Sequence, residues 1–375
     1  MALQSSGAIS LDDIHEEVGG TSGSSATIND ADIRALIGKS DGATAAFNEW
    51  YGASAVTPRG LFMGGMQNSG DKNVDVVDYI TIASAGNATD FGNLSSGRSV
   101  ASRGGGCGSA TRGLIGGGNG RGGGALNTLR GGYEDDAIEY FTFATLGNAT
   151  DFGNLSSIKE ALASCSSATR GIFSGGYADS PGAPNLDVIE YVTIASTGNV
   201  TDFGDMIEHD ASDPGIQQHG GGGGTTRGIF ANGRNTDLNI IQYITIASTG
   251  NAADFGDTRA AGRRPSIGSS NTRYIIAAIN GIFSDGDAFG YAQEAEYVTI
   301  ASTGNATDFG NLASGDHDSR AGTSNSLRMV IGGGSGTTNE IEYLTIANTG
   351  NGTDFGDLTL ARTYLTSGSS EHGGL

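Results

Sequence analysis

The sequence predicts a mainly β fold, a six-bladed β-propeller closed by its own C-terminal strand and preceded by a small helical N-terminal segment. Three observations predict it. Six copies of a GN-x-x-DFG phrase, marked by Asp90, Asp151, Asp202, Asp254, Asp308 and Asp354, recur at intervals of about fifty residues. Each copy closes a longer phrase with four short β-like segments, which is the content of one propeller blade. After the last copy the chain runs on into LTLARTYLTSGSS, which reaches the register of an inner strand that the first blade lacks.

Composition agrees with a folded, turn-rich chain. Of 375 residues 65 are Gly and only 16% are charged, yet 37% are hydrophobic, too many for a solvated coil. The 41 acidic residues outweigh 20 basic ones, for a net charge of −21, and no basic cluster interrupts them. Nucleic acid and anionic membrane surfaces are therefore not expected partners. The opening MALQSSGAISLDD has neither the charged nor the apolar region of a secretory signal, and no run of apolar residues is long enough to span a bilayer. Membrane insertion is not expected, and export would need another route, such as cell lysis.

Residues 1–55 have their own pattern. Ser10 caps a short helix, SLDDIHEEVGG, with Asp13 in the capping-box position, Leu11, Ile14 and Val18 along one side and Gly19 as its stop. A second helix, NDADIRALIGKS, starts at Asn29 and carries Ile33, Leu36 and Ile37 on one face. FNEWYG follows, with the chain's only Trp, Trp50, beside Tyr51. Two helices this short bury little by themselves, so these apolar residues are expected to dock on something else.

Residues 56–375 hold the blades, clearest at 164–205. ALASCSS supplies an inner strand, RGIFSGG a second, IEYVTIAS a third that is apolar on both faces, and TDFGD a fourth after the tight Gly198–Asn199 turn. A sheet covered on both faces needs a neighbour on each side, as a blade in a ring has. Glycine doublets follow the second segment at Gly64–Gly65, Gly116–Gly117, Gly175–Gly176 and Gly332–Gly333, degraded to Asn232–Gly233 and Asp285–Gly286 in the fourth and fifth blades. With the repeated Tyr79, Tyr140, Tyr191, Tyr243, Tyr297 and Tyr343, this resembles the kelch repeat, although Phe of DFG stands where kelch usually has Trp. The two cysteines, Cys107 and Cys165, fall at equivalent inner positions and read as small buried side chains.

The last segment closes the ring. Gly368 stands as far beyond Asp354 as Cys165 stands beyond Asp151 and Gly268 beyond Asp254. In such a ring the SSATRG and STGNATDFG turns share one face, which is uniform. The variable text falls on the other face, where loops carried by a rigid scaffold usually hold specificity. Candidate binding residues there are Arg121, Leu129, Arg130 and Tyr133 in the loop at 118–136, Glu208, His209, Gln217 and His219 in that at 206–224, and Phe289 and Tyr291 in that at 284–295. The plainer reading is that these loops are tolerated insertions.

Several motifs carry no chemistry. DFG recurs without the other kinase signatures, the N-x-T triplets read as turns, and the GxGxxG spacing near 116–124 lacks a βαβ context. The DFG[DN] carboxylates read as turn caps rather than calcium ligands, and the five histidines as solvated. No catalytic residue, metal or cofactor is expected.

The N-terminal segment resembles the opening of many tailed-phage virion proteins, through Ser5, Ser6, Gly7, Ile9, Ser10 and Leu11, then Asp30, Ile33, Arg34, Ala35 and Leu36, then Tyr51 and Gly52. Joined to YxTIASTGNATDFG blades, it looks like structural proteins of phages of marine bacteria, cyanophages especially. The resemblance implies a virion component, a tail fibre, spike or appendage, whose segment 1–55 attaches to other virion proteins while the propeller meets a host surface glycan or another virion protein. A capsid-associated or connector protein and a propeller glycan hydrolase are the alternatives. No heptad repeat supports a trimeric stalk, and a homo-oligomer stays open.

Overall fold

The structure is a computed structural model. It describes residues 10–17, 21, 25, 27, 28, 30 and 33, and 58–371 apart from 68–71, 96–104, 119–135, 179–184, 209–214, 235–237, 283–289, 292, 315–318 and 337. The chain divides into two compact units, Met1–Thr57 and Pro58–Leu375.

In the smaller unit a helix spans Leu11–Glu17. Its capping box forms as the sequence predicts: the Asp13 amide donates to the Ser10 hydroxyl at 3.1 Å and the Ser10 amide to the Asp13 carboxylate at 2.7 Å. The Ser10 hydroxyl, which donates to the Asp13 carboxylate at 2.6 Å, and then the Ser10 amide hold the Asp13 carboxyl below its usual range. Ile14 is fully buried and Leu11 half-buried. A turn forms at Thr27, whose amide and hydroxyl both donate to the Asp30 carboxylate at 2.8 Å while the Asp30 amide donates to the Thr27 carbonyl at 2.9 Å, two residues before the expected start at Asn29. Ile33 is buried as well. Val18, Leu36, Ile37, Trp50 and Tyr51 lie outside the described residues.

The larger unit is a ring of six antiparallel sheets, the six-bladed β-propeller that the repeats predict. The third blade shows the pattern: Ala163–Ser166, Arg170–Ser174, Val188–Thr193 and Thr201–Asp205, each paired with the next. Thr366–Ser369 supplies the inner strand of the first blade and pairs with Arg59–Met63, Leu61 facing Gly368 just as Ile172 faces Cys165. A single velcro-like sheet therefore contains both ends of the propeller and leaves no open seam in the ring.

Instead of one central core the ring has six, one in each seam. Cys107, Leu114, Ile138 and Phe152 of the second blade meet Phe173, Val192 and Ile194 of the third, for example, and equivalent clusters fill the other five seams. The repeated phrase is the polar cement of the same seams. In every blade the DFG strand bulges, which turns Phe inward against the repeat Tyr, edge to face at 5.8–6.1 Å. The Arg that opens the second strand stacks on that Tyr at 4.5–4.9 Å and donates to a carbonyl of the next blade, as Arg170 does to Ile246 at 2.8 Å. Each such stack is worth ~0.5–1 kcal/mol where it is solvated.

The GN turn completes the joint. Asn199 Oδ1 accepts from the Asn154 amide at 3.1 Å, and the Gly198 amide donates to the Phe152 carbonyl at 2.7 Å. All six seams repeat both contacts, the last through Asn87 and Gly86 back to the sixth blade. The DFG glycine sits under this turn with φ of 142–155°, and a Cβ there would lie 2.2–2.6 Å from the neighbouring glycine's carbonyl oxygen. The Asn of the N-x-T triplets is thus a seam residue.

Three expectations need correction. The left-handed pair after the second strand is Gly117–Gly118 in the second blade and Gly333–Gly334 in the sixth, one residue later than predicted. In the fifth blade it begins at Ala278 (φ 54°), five residues after Arg273, and Asp285–Gly286 lies outside the described residues. The fourth sheet has six strands, because Asn280–Ile282 and Gly290–Tyr291, the latter expected in the fifth blade's loop at 284–295, add to its long outer strand Ala253–Arg263. Tyr291 is therefore a strand residue.

Candidate functional site

Strand direction places the blade-to-blade linkers and the second-to-third loops on the face opposite the GN turns. Each linker must bend there from running across the ring to running along its axis. The bend falls two residues before five of the six inner strands, at Ala161, Gln218, Arg264, Ser319 and Tyr364, all left-handed with φ of 56–58°, and the second blade's counterpart lies outside the described residues. No glycine relieves these five positions, and each costs on the order of 1 kcal/mol. Backbone bonds link them round the axis: the Gln218 amide donates to the Ala161 carbonyl at 2.7 Å, Arg264 to Gln218 at 2.7 Å and Tyr364 to Ser319 at 3.0 Å.

Below this collar the inner strands converge, which is why they read GGCG, ASCS, GGGG, SIGS, AGTS and TSGS. A Cβ on Gly221 would stand 2.5 Å from the Ser164 carbonyl oxygen. Serines tie neighbouring strands, as Ser164 Oγ does by donating to the Gly106 carbonyl at 2.6 Å. The strands enclose a cavity of about 160 Å³. A second cavity of about 130 Å³ lies in the collar itself and shares Leu162, His219, Pro265, Arg320 and Leu365 with the first.

The collar cavity carries the polar groups. Arg264 Nε donates to Gln218 Oε1 at 3.1 Å, and its guanidinium lies 5.1 Å from the Tyr364 ring centre. Arg320 is buried, pairs with Glu342 and donates through Nε to the Gly333 carbonyl at 3.0 Å. His219, only 6% exposed, has Nε2 2.9 Å from Ser174 Oγ and its ring edge-on to Phe230. Burial pulls its pKa down to about 3, so the imidazole is neutral at ordinary pH. His219 Nδ1 and the buried Ser319 Oγ have no hydrogen-bond partner among the described residues.

The residue before each repeat Tyr is a buried hydrogen-bonding anchor for the incoming linker. Asp78 takes the Thr359 amide at 3.2 Å and Arg362 at 3.0 Å, Glu190 takes Ser156 at 3.1 Å and pairs with Lys159, and Glu342 takes Ala313 at 2.6 Å. The fourth blade has Gln242 instead, which accepts from the Ile207 amide at 2.9 Å, and its linker at 206–219 contains no Lys or Arg. Three of these anchors, Asp78, Glu190 and Glu342, are paired with a buried cation, and the neutral Gln242 faces a linker that has none. Glu296 accepts from the Arg259 amide at 2.8 Å, and burial raises its carboxyl to about 7.

Of the residues singled out by sequence, Arg121, Leu129, Arg130, Tyr133, His209 and Phe289 lie outside the described residues, as does the side chain of Tyr291. Glu208 is exposed at the start of its linker. Gln217 is half-buried, donates to Asn185 Oδ1 at 2.8 Å and forms a β-bridge with Arg234, so it braces the linker. His219 is not solvated: the linker's final turn carries it under the collar. Sequence reasoning missed Gln218, Arg264, Ser319 and Tyr364, whose common signal is their position two residues before each inner strand. The cysteines are free and buried, and burial pushes the Cys107 thiol up to about 12, which removes thiolate chemistry near neutral pH.

No protein-family model matches the chain, and no curated protein sequence matches it either.

Proposed function

We propose that this chain is a structural protein of a tailed-phage virion, an appendage component that attaches through residues 1–55 and presents the loop face of its propeller to a ligand. One observation carries the binding part of this reading. The repeated residues are consumed in seam contacts on one face, whereas the opposite face gathers the unequal linkers and the axial collar cavity. The virion part is supported by the N-terminal resemblance, from Ser5 to Leu11 and through the Asp30–Leu36 stretch to Tyr51 and Gly52. Binding rather than catalysis is supported by the anchor carboxylates, which are bonded to linkers instead of facing a cleft.

The test is immunogold electron microscopy of particles from a lysate, with antibody against residues 56–375. Label on the tail or its fibres is the expected result. Label confined to the head replaces the appendage with a capsid role, and particles without label remove the virion assignment.

A further inference from the structure

We propose that the axial collar is a binding site for a single sugar residue, held by Ser319 and His219 beneath Arg264 and Tyr364. The inference deepens the binding reading above and rests on its loop face, but not on the virion assignment.

Two observations meet in one cavity. The first is its size. About 130 Å³ is far above the ~10–15 Å³ that a single water occupies, and below the ~300 Å³ at which drug-sized sites begin. It suits one small ring entering from the open end of the axis. The second is a pair of polar atoms that the fold buries and does not use, Ser319 Oγ and His219 Nδ1. Each carries the desolvation cost of an unmade hydrogen bond, and both belong to residues that line the same cavity.

Their chemistry selects the ligand. Ser174 Oγ lies 2.9 Å from His219 Nε2, so that ring nitrogen is engaged and Nδ1 is left to accept from or donate to a ligand hydroxyl. The Ser319 hydroxyl both donates and accepts, and the guanidinium of Arg264 only donates. A set that gives and takes hydrogen bonds within one small space, walled by Leu162, Pro265 and Leu365, matches the hydroxyls and apolar ring face of a sugar.

The probes are galactose, glucose, N-acetylglucosamine and glucuronate, each titrated into the full chain while the histidine imidazole signals are followed by NMR. The expected result is saturable movement of the buried, neutral His219 signal by at least one sugar. In Ser319→Ala the dissociation constant rises about three- to tenfold. That variant deletes a hydroxyl with no partner among the described residues, so its melting temperature stays equal or rises, which separates lost binding from lost folding. A Ser319→Gly variant, relieved of the left-handed strain as well, gives the same comparison. Immobile signals with all four sugars, or a Ser319→Ala protein that binds as the wild type does, overturn the proposal. Neither outcome depends on where antibody labels a particle.

Discussion

Glu296 and His219 are buried titratable groups whose effects on stability have opposite signs. Burial raises the Glu296 carboxyl from 4.5 to about 7, so between those values the folded chain keeps a proton that the unfolded chain has released. Stability from this group is present at low pH and is lost as pH climbs through about 7. Burial lowers His219 from 6.5 to about 3, so in that window the unfolded chain holds the extra proton and stability is lost as pH falls. The two slopes oppose each other between about 4.5 and 6.5, where stability is expected to be nearly flat. Glu296→Gln, the amide that the fourth blade already uses at Gln242, removes one of them. Its unfolding free energy from urea melts is expected to rise at pH 8, by on the order of 2 kcal/mol, and to change little at pH 5. An equal gain at both pH values would show that Glu296 is not the titrating group.

At the scale of the element, the seam turn depends on two glycines for different reasons. A Cβ on Gly153 would sit 2.2 Å from the Gly198 carbonyl oxygen, with backbone on both sides of the clash. A Cβ on Gly198 would meet nothing within 4 Å. Gly153→Ala is therefore expected to cost about 3 kcal/mol or more, and Gly198→Ala about 1 kcal/mol, in paired denaturant melts. Comparable losses would mean that backbone freedom, not the seam contact, explains the repeat. The seams were legible because all six copies make the same contacts, so Arg170, Tyr191, Asn199, Phe203 and Gly204 had to recur with their spacing. The strand register was legible for the same reason. The glycine pair in the second blade was misplaced because LIGGGNG offers several adjacent doublets, and the fifth blade hides it by using Ala278. The sixth-strand extension of the fourth sheet was not legible, because Asn280–Ile282 pairs with a strand of another blade. The collar was unreadable for a further reason: the burial of His219 and Ser319 follows from six strands converging on an axis, and no local pattern in either linker records that convergence.

At the scale of the molecule, the ring is held by six seams of one kind and a single sheet that joins its two ends. Removing 360–375 takes away the inner strand of the first blade, the Arg362–Asp78 pair and the collar residue Tyr364. It also uncovers the edge of Arg59–Met63 as a template for association. The truncated chain is expected to aggregate or to melt well below the intact one, and an unchanged cooperative transition would contradict closure. The GN-turn face is committed to the seams, and under the proposed function the loop face with its axial collar meets a ligand. The most direct measurement of that division is hydrogen–deuterium exchange on the full chain, with and without a bacterial surface polysaccharide. The account predicts added protection at the linker ends near Leu162, His219, Arg264, Arg320 and Leu365 and none at the GN turns. Protection confined to the GN turns, or absent from both faces, would contradict it.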